Sequence, residues 1–129
     1  MRALVIDDDE VYRLLVRSAL EDRGWSVDEA WDGQIGWQMY QLLEYDLAVT
    51  DIVMPHQEGL ETIKLMRAYR PDARIIAMSG RGLQSGGYLS AARWFGADRT
   101  LAKPFTVPAF QNAVDRLMSP AADTRHAVS

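Results

Sequence analysis

Cysteine is absent from this chain of 129 residues, which excludes a disulfide framework, a zinc–thiolate site and a cysteine nucleophile. Long apolar runs are absent too, because none approaches the roughly 20 residues that a membrane span needs. Basic residues are outnumbered, and the formal charge of −4 argues against a general affinity for nucleic acid, which requires a basic face. We therefore expect neither a direct nucleic-acid partner nor a membrane partner.

The first residues carry no secretory signal pattern, because a strand pattern begins at once, and we expect a cytoplasmic protein. The length suits a single domain, and 48% hydrophobic residues suffice for a full core. Residues 119–129 are polar and weakly patterned. The prediction is one folded domain over residues 1–118, followed by a flexible tail over residues 119–129.

Five apolar, β-rich runs alternate with five helical patterns along the chain. Such alternation predicts an α/β fold whose parallel strands are joined by right-handed crossovers, with helices on both faces of the sheet. The second run alternates in polarity, which favours an edge strand. The predicted strands are about Arg2–Ile6, Trp25–Ala30, Asp46–Asp51, Ala73–Met78 and Arg99–Ala102, and the predicted helices are about Glu10–Arg23, Gln34–Leu43, Gly59–Tyr69, Tyr88–Phe95 and, after an N-cap at Thr106, a last helix to Met118.

The first and fourth helices are predicted in more detail. Val11, Leu14, Leu15 and Leu20 are expected on the apolar side of the first helix. Four glycines between residues 79 and 87 predict a loop that delays the fourth helix until Tyr88. That loop lacks the GxxxxGK[ST] spacing of a phosphate cradle, so a mobile loop is the better interpretation.

Acidic residues directly follow two of the apolar runs. Asp7, Asp8 and Asp9 come after the first run, and Asp51 comes after the third. Ligands bind outside the carboxyl ends of parallel strands, so these acids should meet at one edge of the sheet. Like charges held that close must be relieved by protons or by a cation. The pattern indicates a site for a hard divalent metal and an anionic substrate.

The acids also have a simpler interpretation as helix caps. One aspartate suffices to cap the first helix, and we assign that role to Asp9. Three acids in a row exceed what capping needs, so Asp7 and Asp8 are predicted as the functional pair. A register shifted by one, with Asp8 and Asp9 as the pair, stays open.

A hydroxyl and an ammonium follow the remaining two runs, because Ser79 comes after the fourth and Lys103 after the fifth. Alone, the first would be an ordinary turn residue and the second a surface lysine. Together with the acids they form the set that phosphoryl transfer to a carboxylate uses. One carboxylate is the nucleophile, acids hold Mg²⁺, and the hydroxyl and cation stabilise the phosphoryl oxygens.

Taken in order, these residues resemble the receiver domain of bacterial two-component response regulators. The resemblance rests on Asp7-Asp8, Asp51 with Met54-Pro55, Ser79 and Lys103-Pro104-Phe105, and it covers about residues 2–118. It implies a flavodoxin-like fold, a doubly wound five-stranded parallel sheet in the order 2-1-3-4-5.

The resemblance also implies a phosphoacceptor and a metal site. Asp51 would be the phosphoacceptor. The metal ligands would be Asp7, Asp8, Asp51 and the backbone carbonyl of Val53, holding Mg²⁺ or Mn²⁺ in its place. Lys103 would pair with Asp51.

The implied switch residues are Ser79, Thr100, Lys103 and Pro104, with a cis Lys103–Pro104 bond. Many receivers have Tyr or Phe three residues before the lysine, and that ring swings inward on activation. This chain has Thr100 there. We therefore hypothesise that phosphorylation reorders residues 80–88 instead of rotating an aromatic ring.

The implied function is that of a signalling phosphoacceptor rather than an enzyme. A sensor histidine kinase or a histidine phosphotransfer protein would donate the phosphoryl group, and a downstream protein of unknown identity would read it. Homodimer formation stays open. One alternative is a phosphorylation-independent receiver-like interaction module; the complete set of acids, hydroxyl and lysine argues against it, while Thr100 keeps it open. A phosphohydrolase is disfavoured because Val53 stands where its general acid belongs. A Rossmann-like nucleotide binder is disfavoured because its glycine fingerprint is absent.

Overall fold

The structure is a computed structural model that describes residues 1–52, 59–80 and 85–119, with residues 85–89 described as backbone only. Strands and helices alternate through this part of the chain, as the hydrophobic pattern predicts. The strands are β1 (Arg2–Ile6), β2 (Ser26–Ala30), β3 (Leu47–Asp51), β4 (Ile75–Ser79) and β5 (Arg99–Ala102), and the helices are α1 (Glu10–Glu21), α2 (Gly33–Leu42), α3 (Gly59–Tyr69), α4 (Ser85–Phe95) and α5 (Val107–Met118).

The five strands form one parallel sheet in the order β2-β1-β3-β4-β5. The predicted doubly wound, flavodoxin-like architecture is therefore confirmed, and β2 is an edge strand as expected. Crossovers return every strand in the same direction, so the carboxyl ends of all five lie along one edge. Within the described residues no helix is long and apolar enough to cross a membrane.

The sheet buries both of its faces, which is why the central strands read as continuous apolar runs. Helices α2, α3 and α4 cover one face and α1 and α5 cover the other. The first core includes Leu4, Ile6, Tyr40, Ile63, Met66, Ile75 and Ala92, and the second includes Val5, Val16, Leu20, Val49, Met78, Phe110, Val114 and Leu117.

Two helix predictions are corrected by the structure. Val11 and Leu14, predicted on the apolar side of α1, are 70% and 52% exposed. The predictions for the other two residues are confirmed, because Leu20 is buried and Leu15 packs against the second core, where Val16 and Ala19 are buried as well. Helix α4 begins at Ser85 rather than at residue 88, because the first-turn N–H groups need no intrahelical partner and glycine is tolerated there.

The predicted helix ends are confirmed where side chains decide them. The Asp9 carboxylate accepts a hydrogen bond of 2.9 Å from the Val11 N–H and caps α1. The Thr106 hydroxyl accepts one of 3.1 Å from the Ala109 N–H and caps α5. Beyond the end of α1, Gly24 has a φ of +85°, a left-handed conformation that favours glycine.

Candidate functional site

The predicted site residues lie together at the carboxyl edge of the sheet. Asp51 is the last residue of β3 and pairs with Met78 of β4, so Ser79 ends the neighbouring strand one residue further on. The Lys103 N–H donates to the Ser79 carbonyl at 2.7 Å, which fixes the connection after β5 beside β4. Parallel register thus brings residues from four distant segments to one place.

Three carboxylates converge at this edge. Ligand oxygens of Asp7, Asp8 and Asp51 lie within 4.8 Å of one another. Asp7 and Asp51 are buried, whereas Asp8 is exposed in an open cleft of about 480 Å³ that Asp51, Tyr12 and Lys103 also line. Asp9 is used as the helix cap, so the acids that meet Asp51 are Asp7 and Asp8 rather than the pair shifted by one residue.

Lys103 supplies positive charge to this cluster. Its Nζ donates to Asp7 Oδ2 at 2.7 Å and lies 3.7 Å from Asp51 Oδ1. The ammonium therefore pairs more closely with Asp7 than with Asp51. The resemblance implies Asp51 as the partner of Lys103. Asp7 is fully buried, so its charge gains most from a direct cation.

The electrostatics of the cluster favour uptake of a proton or a cation. The pKa of Asp51 is raised to about 7, chiefly by burial; the Lys103 charge lowers it, and the charges of Asp7 and Asp8 raise it. Burial also raises the pKa of Asp7, although the hydrogen bond from Lys103 acts in the opposite direction. A divalent cation would relieve the same repulsion without protonating the acids.

Two buried polar atoms lack a hydrogen bond from anything in residues 1–52, 59–80 and 85–119. They are Asp51 Oδ1 and Ser79 Oγ, which belong to the predicted nucleophile and the predicted hydroxyl donor. Buried polar atoms in folded proteins are nearly always paired, so an orphaned pair marks a place for a ligand. Three clustered carboxylates are oxygen ligands of the kind that Mg²⁺ prefers, so the residues present fit that ion.

The remaining switch residues, Thr100 and Pro104, lie within the described chain. The Lys103–Pro104 peptide bond is cis. Thr100 is half-buried on β5 and pairs with Ala77, so it faces the helical layer that contains α4. The predictions for the Val53 carbonyl and for the tail over residues 120–129 lie outside the described residues, and so does most of the hypothesis for residues 80–88.

Three residues at the site escaped the sequence reasoning. The Tyr12 ring lies 4.2 Å from Lys103 Nζ, and Arg13 Nη1 donates to the Asp7 carbonyl at 2.9 Å. A Cβ at Gly59 would overlap the Asp51 carbonyl oxygen, so α3 can begin that close to β3 only with glycine.

Comparison with known proteins gives a family match over this same region. A family model for the response regulator receiver domain matches residues 3–115. Chemotaxis protein CheY of Halobacterium salinarum is 31% identical over 118 residues, which are 92% of this chain and 97% of that protein. The DNA-binding transcriptional regulator NtrC of Azospirillum brasilense is 34% identical over 116 residues, which are 90% of this chain and 24% of that protein.

Solved structures agree with these sequence matches. The crystal structure of response regulator protein TrrA from Thermotoga maritima, in complex with Mg²⁺-BeF, matches with a TM-score of 0.80 at 29% identity, covering 91% of this chain and 98% of that one. The beryllofluoride-activated NtrC4 receiver domain dimer matches with a TM-score of 0.81 at 29% identity, covering 89% and 93%. Both matches cover about nine-tenths of this chain.

Proposed function

The chain belongs to the response regulator receiver domain family, and we propose that Asp51 accepts a phosphoryl group from the phosphohistidine of a partner protein. The observation that carries this proposal is the orphaned pair, Asp51 Oδ1 and Ser79 Oγ, beside the Lys103 ammonium. A phosphoryl group on Asp51 would offer acceptor oxygens to both the hydroxyl and the ammonium. The donor is a sensor histidine kinase or a histidine phosphotransfer protein.

In the proposed transfer, a carboxylate oxygen of Asp51 attacks phosphorus. The new O–P bond forms as the N–P bond to the histidine breaks, and the departing imidazole keeps the bonding pair and takes up a proton. Lys103 offsets charge on the transferred oxygens, and Ser79 donates a hydrogen bond to one of them. The reaction needs Asp51 ionised, although burial raises its pKa to about 7.

Asp7, Asp8 and Asp51 would hold Mg²⁺, and the Val53 carbonyl is proposed as a further ligand. Bound there, the ion would screen the carboxylates from one another and from the incoming phosphate, which favours the ionised form of Asp51. The clustering of the three carboxylates supports this set. Mn²⁺ takes the same kind of oxygen ligands and could replace Mg²⁺.

The output of this phosphoacceptor is a contact with another protein or onward phosphotransfer, so it acts as a signalling domain and not as an enzyme. Trp94 and Phe95 at the end of α4 are 86% and 37% exposed, and these adjacent rings support a protein contact on that helix. A homodimer is one such contact, and sedimentation with and without beryllofluoride tests it. A cytoplasmic location belongs to the same proposal, and cell fractionation tests it.

Intact-mass spectrometry after incubation with Mg²⁺ and a small phosphodonor tests the acceptor directly. We expect one phosphoryl adduct on the wild type, none on Asp51→Asn, and none when a chelator removes Mg²⁺. Asp115→Asn, which changes an exposed aspartate of α5, should keep the adduct. An adduct that persists in Asp51→Asn would contradict the assignment.

One observation favours a second function, a receiver-like interaction module that needs no phosphoryl group. Thr100 stands where the implied switch has an aromatic ring, so one familiar route from the site to the surface is missing. Under this alternative, Asp51→Asn would bind the natural partner as tightly as wild type does. Under the main proposal the same variant would not respond to a phosphodonor.

A further inference from the structure

Lys103 is held from three sides in the described structure. Asp7 accepts its hydrogen bond at 2.7 Å, Asp51 Oδ1 lies 3.7 Å away, and the Tyr12 ring centroid lies 4.2 Å from Nζ. The lysine side chain is 9% exposed, so the ring is a substantial part of its surroundings. An ammonium at this distance from an aromatic face is attracted by the negative charge density of the ring.

The Tyr12 ring is itself fixed by the segment that carries Lys103. Tyr12 lies in the first turn of α1 directly after the Asp9 cap. Its ring packs against Phe105 with centroids 5.5 Å apart, and Phe105 stacks in turn on Phe110 of α5 at 5.9 Å. Tyr12 therefore joins α1, which follows two of the acids, to the connection after β5.

The Lys103 ammonium pairs unequally with the two buried carboxylates beside it. Lys103 bonds Asp7 directly but stops short of Asp51, whose Oδ1 accepts no hydrogen bond from the described part of the chain. The ring occupies another side of the ammonium and borders the same cleft as Asp51. Lys103 is thus oriented toward the space in front of Asp51 without closing onto its oxygen.

We propose that Tyr12 is a positioning residue, whose ring holds the Lys103 ammonium so that it faces a phosphoryl group on Asp51 while leaving the carboxylate free to react. The inference rests on the proposed function for its effect on rate, but not for the contact itself. Removing the ring should slow phosphoryl acceptance by about three- to thirty-fold, the range that a cation–π contact spans. Keeping the ring without its hydroxyl should preserve acceptance.

The chain offers a direct spectroscopic test, because it has two lysines, Lys64 and Lys103. Lys64 is exposed on α3 and serves as an internal reference. In protein labelled at lysine with ¹³C, the Hε protons of Lys103 should be shifted upfield by the ring. That shift should persist in Tyr12→Phe, disappear in Tyr12→Leu, and leave Lys64 unchanged in all variants.

The rate of adduct formation with a small phosphodonor and Mg²⁺ completes the test. Tyr69→Leu is the matched control, because it removes a half-exposed ring of α3 that packs on Trp37 and Tyr40 and lies outside the site. We expect Tyr12→Leu to accept the phosphoryl group slowly, and Tyr12→Phe and Tyr69→Leu to remain near the wild-type rate. Unfolding in urea shows that each variant is folded.

Two results would overturn the proposal. One is a Lys103 shift that survives in Tyr12→Leu, and the other is an equal loss of rate in Tyr12→Leu and Tyr69→Leu, which would indicate a general loss of packing. If wild type takes up no phosphoryl group, the proposed function fails, and the lysine shifts alone then decide whether Tyr12 positions Lys103.

Discussion

Cation–carboxylate clusters occur at both ends of the sheet, and they are built in opposite ways. At the amino ends of β4 and β5, the Arg67 guanidinium donates to the carbonyls of Pro71, Ala73 and Gly96 and to Asp98 Oδ2. The Asp98 carboxylate also accepts the Ile75 N–H at 2.8 Å. This cluster ties α3 to the starts of two strands and has well-placed partners.

The cluster at the carboxyl ends is unfinished, in the sense that some of its buried polar atoms have no hydrogen-bond partner in the described residues. Asp51 Oδ1 and Ser79 Oγ are buried without a hydrogen bond from the described residues, and burial raises the pKa of Asp51 to about 7. Leaving a buried polar atom unpaired costs stability, whereas pairing it removes its capacity to bind a ligand. The difference indicates that the Arg67 cluster stabilises the fold, whereas the Asp51 cluster has buried polar atoms that a ligand could pair with.

The largest expected effect is the loss of stability in Arg67→Leu. The change would remove the guanidinium from the Asp98 carboxylate and from three carbonyl groups, and we expect the free energy of unfolding to fall by about 3–5 kcal/mol. Urea denaturation measures this loss. Arg67→Lys should recover little of it, because one ammonium cannot reproduce the planar fork of donors.

Arg23 provides the control for this prediction. It pairs with Asp115 at 3.1 Å, but both side chains are about half exposed. Arg23→Leu should cost no more than about 1 kcal/mol, as for other surface ion pairs. Equal losses in Arg67→Leu and Arg23→Leu would show that the Arg67 cluster stabilises the fold no more than a surface ion pair does.

At the other end of the sheet, Asp51→Asn should stabilise the metal-free protein. The pKa of Asp51 is raised from 3.8 to about 7 on folding, so the folded state binds the proton more tightly than the unfolded state. Stability conferred by wild-type Asp51 therefore falls as the pH rises from about 4 to about 7, and stays low above that. Asparagine carries no such charge, so we expect Asp51→Asn to raise the free energy of unfolding by about 2–4 kcal/mol at pH 8.

The pH dependence distinguishes this gain from a packing effect. The stability difference between Asp51→Asn and wild type should shrink toward zero below pH 4, where both side chains are neutral, as measured by urea denaturation in chelator. Saturating Mg²⁺ at pH 8 should recover about 1–3 kcal/mol in wild type and less in the variant. A difference that does not change with pH would count against the raised pKa. Asp98→Asn, in the paired cluster, should destabilise instead.

The unfinished cluster could be predicted from the sequence better than the paired one. Asp7, Asp51, Ser79 and Lys103 each directly follow an apolar run, and parallel register alone brings such residues to one edge. Arg67 bonds mostly to backbone carbonyls, which carry no residue-type signal. Its role could therefore be read only from the folded chain.

The errors in the fold predictions have equally local causes. Val11 and Leu14 are apolar at helical spacing, but the sheet meets α1 along the neighbouring stripe. The glycines of residues 86 and 87 suggested a loop and lie within α4. The sequence gives no sign of the Tyr12 contacts, because Lys103 and Phe105 meet that ring only after the connection following β5 packs beside α1.

The smallest expected effect on stability is that of Ser79→Ala. Its hydroxyl is buried and finds no hydrogen-bond partner in the described chain, so deleting it should change the free energy of unfolding by less than about 0.5 kcal/mol. Thr50→Val is the matched control, because the buried Thr50 hydroxyl donates to the Asp51 carbonyl at 2.9 Å. Thr50→Val loses this hydrogen bond, so its free energy of unfolding should fall by about 1–2 kcal/mol.

Phosphoryl acceptance should rank the same two variants in reverse. Ser79→Ala removes a donor that the proposal assigns to the phosphoryl group, so its adduct should form at least about tenfold more slowly than in wild type. Thr50→Val should stay closer to wild type, since its hydroxyl already bonds the backbone. If Ser79→Ala were instead clearly destabilised and still fully reactive, its hydroxyl would belong to the fold. The contrast between the two ends of the sheet would then rest on Asp51 Oδ1 alone.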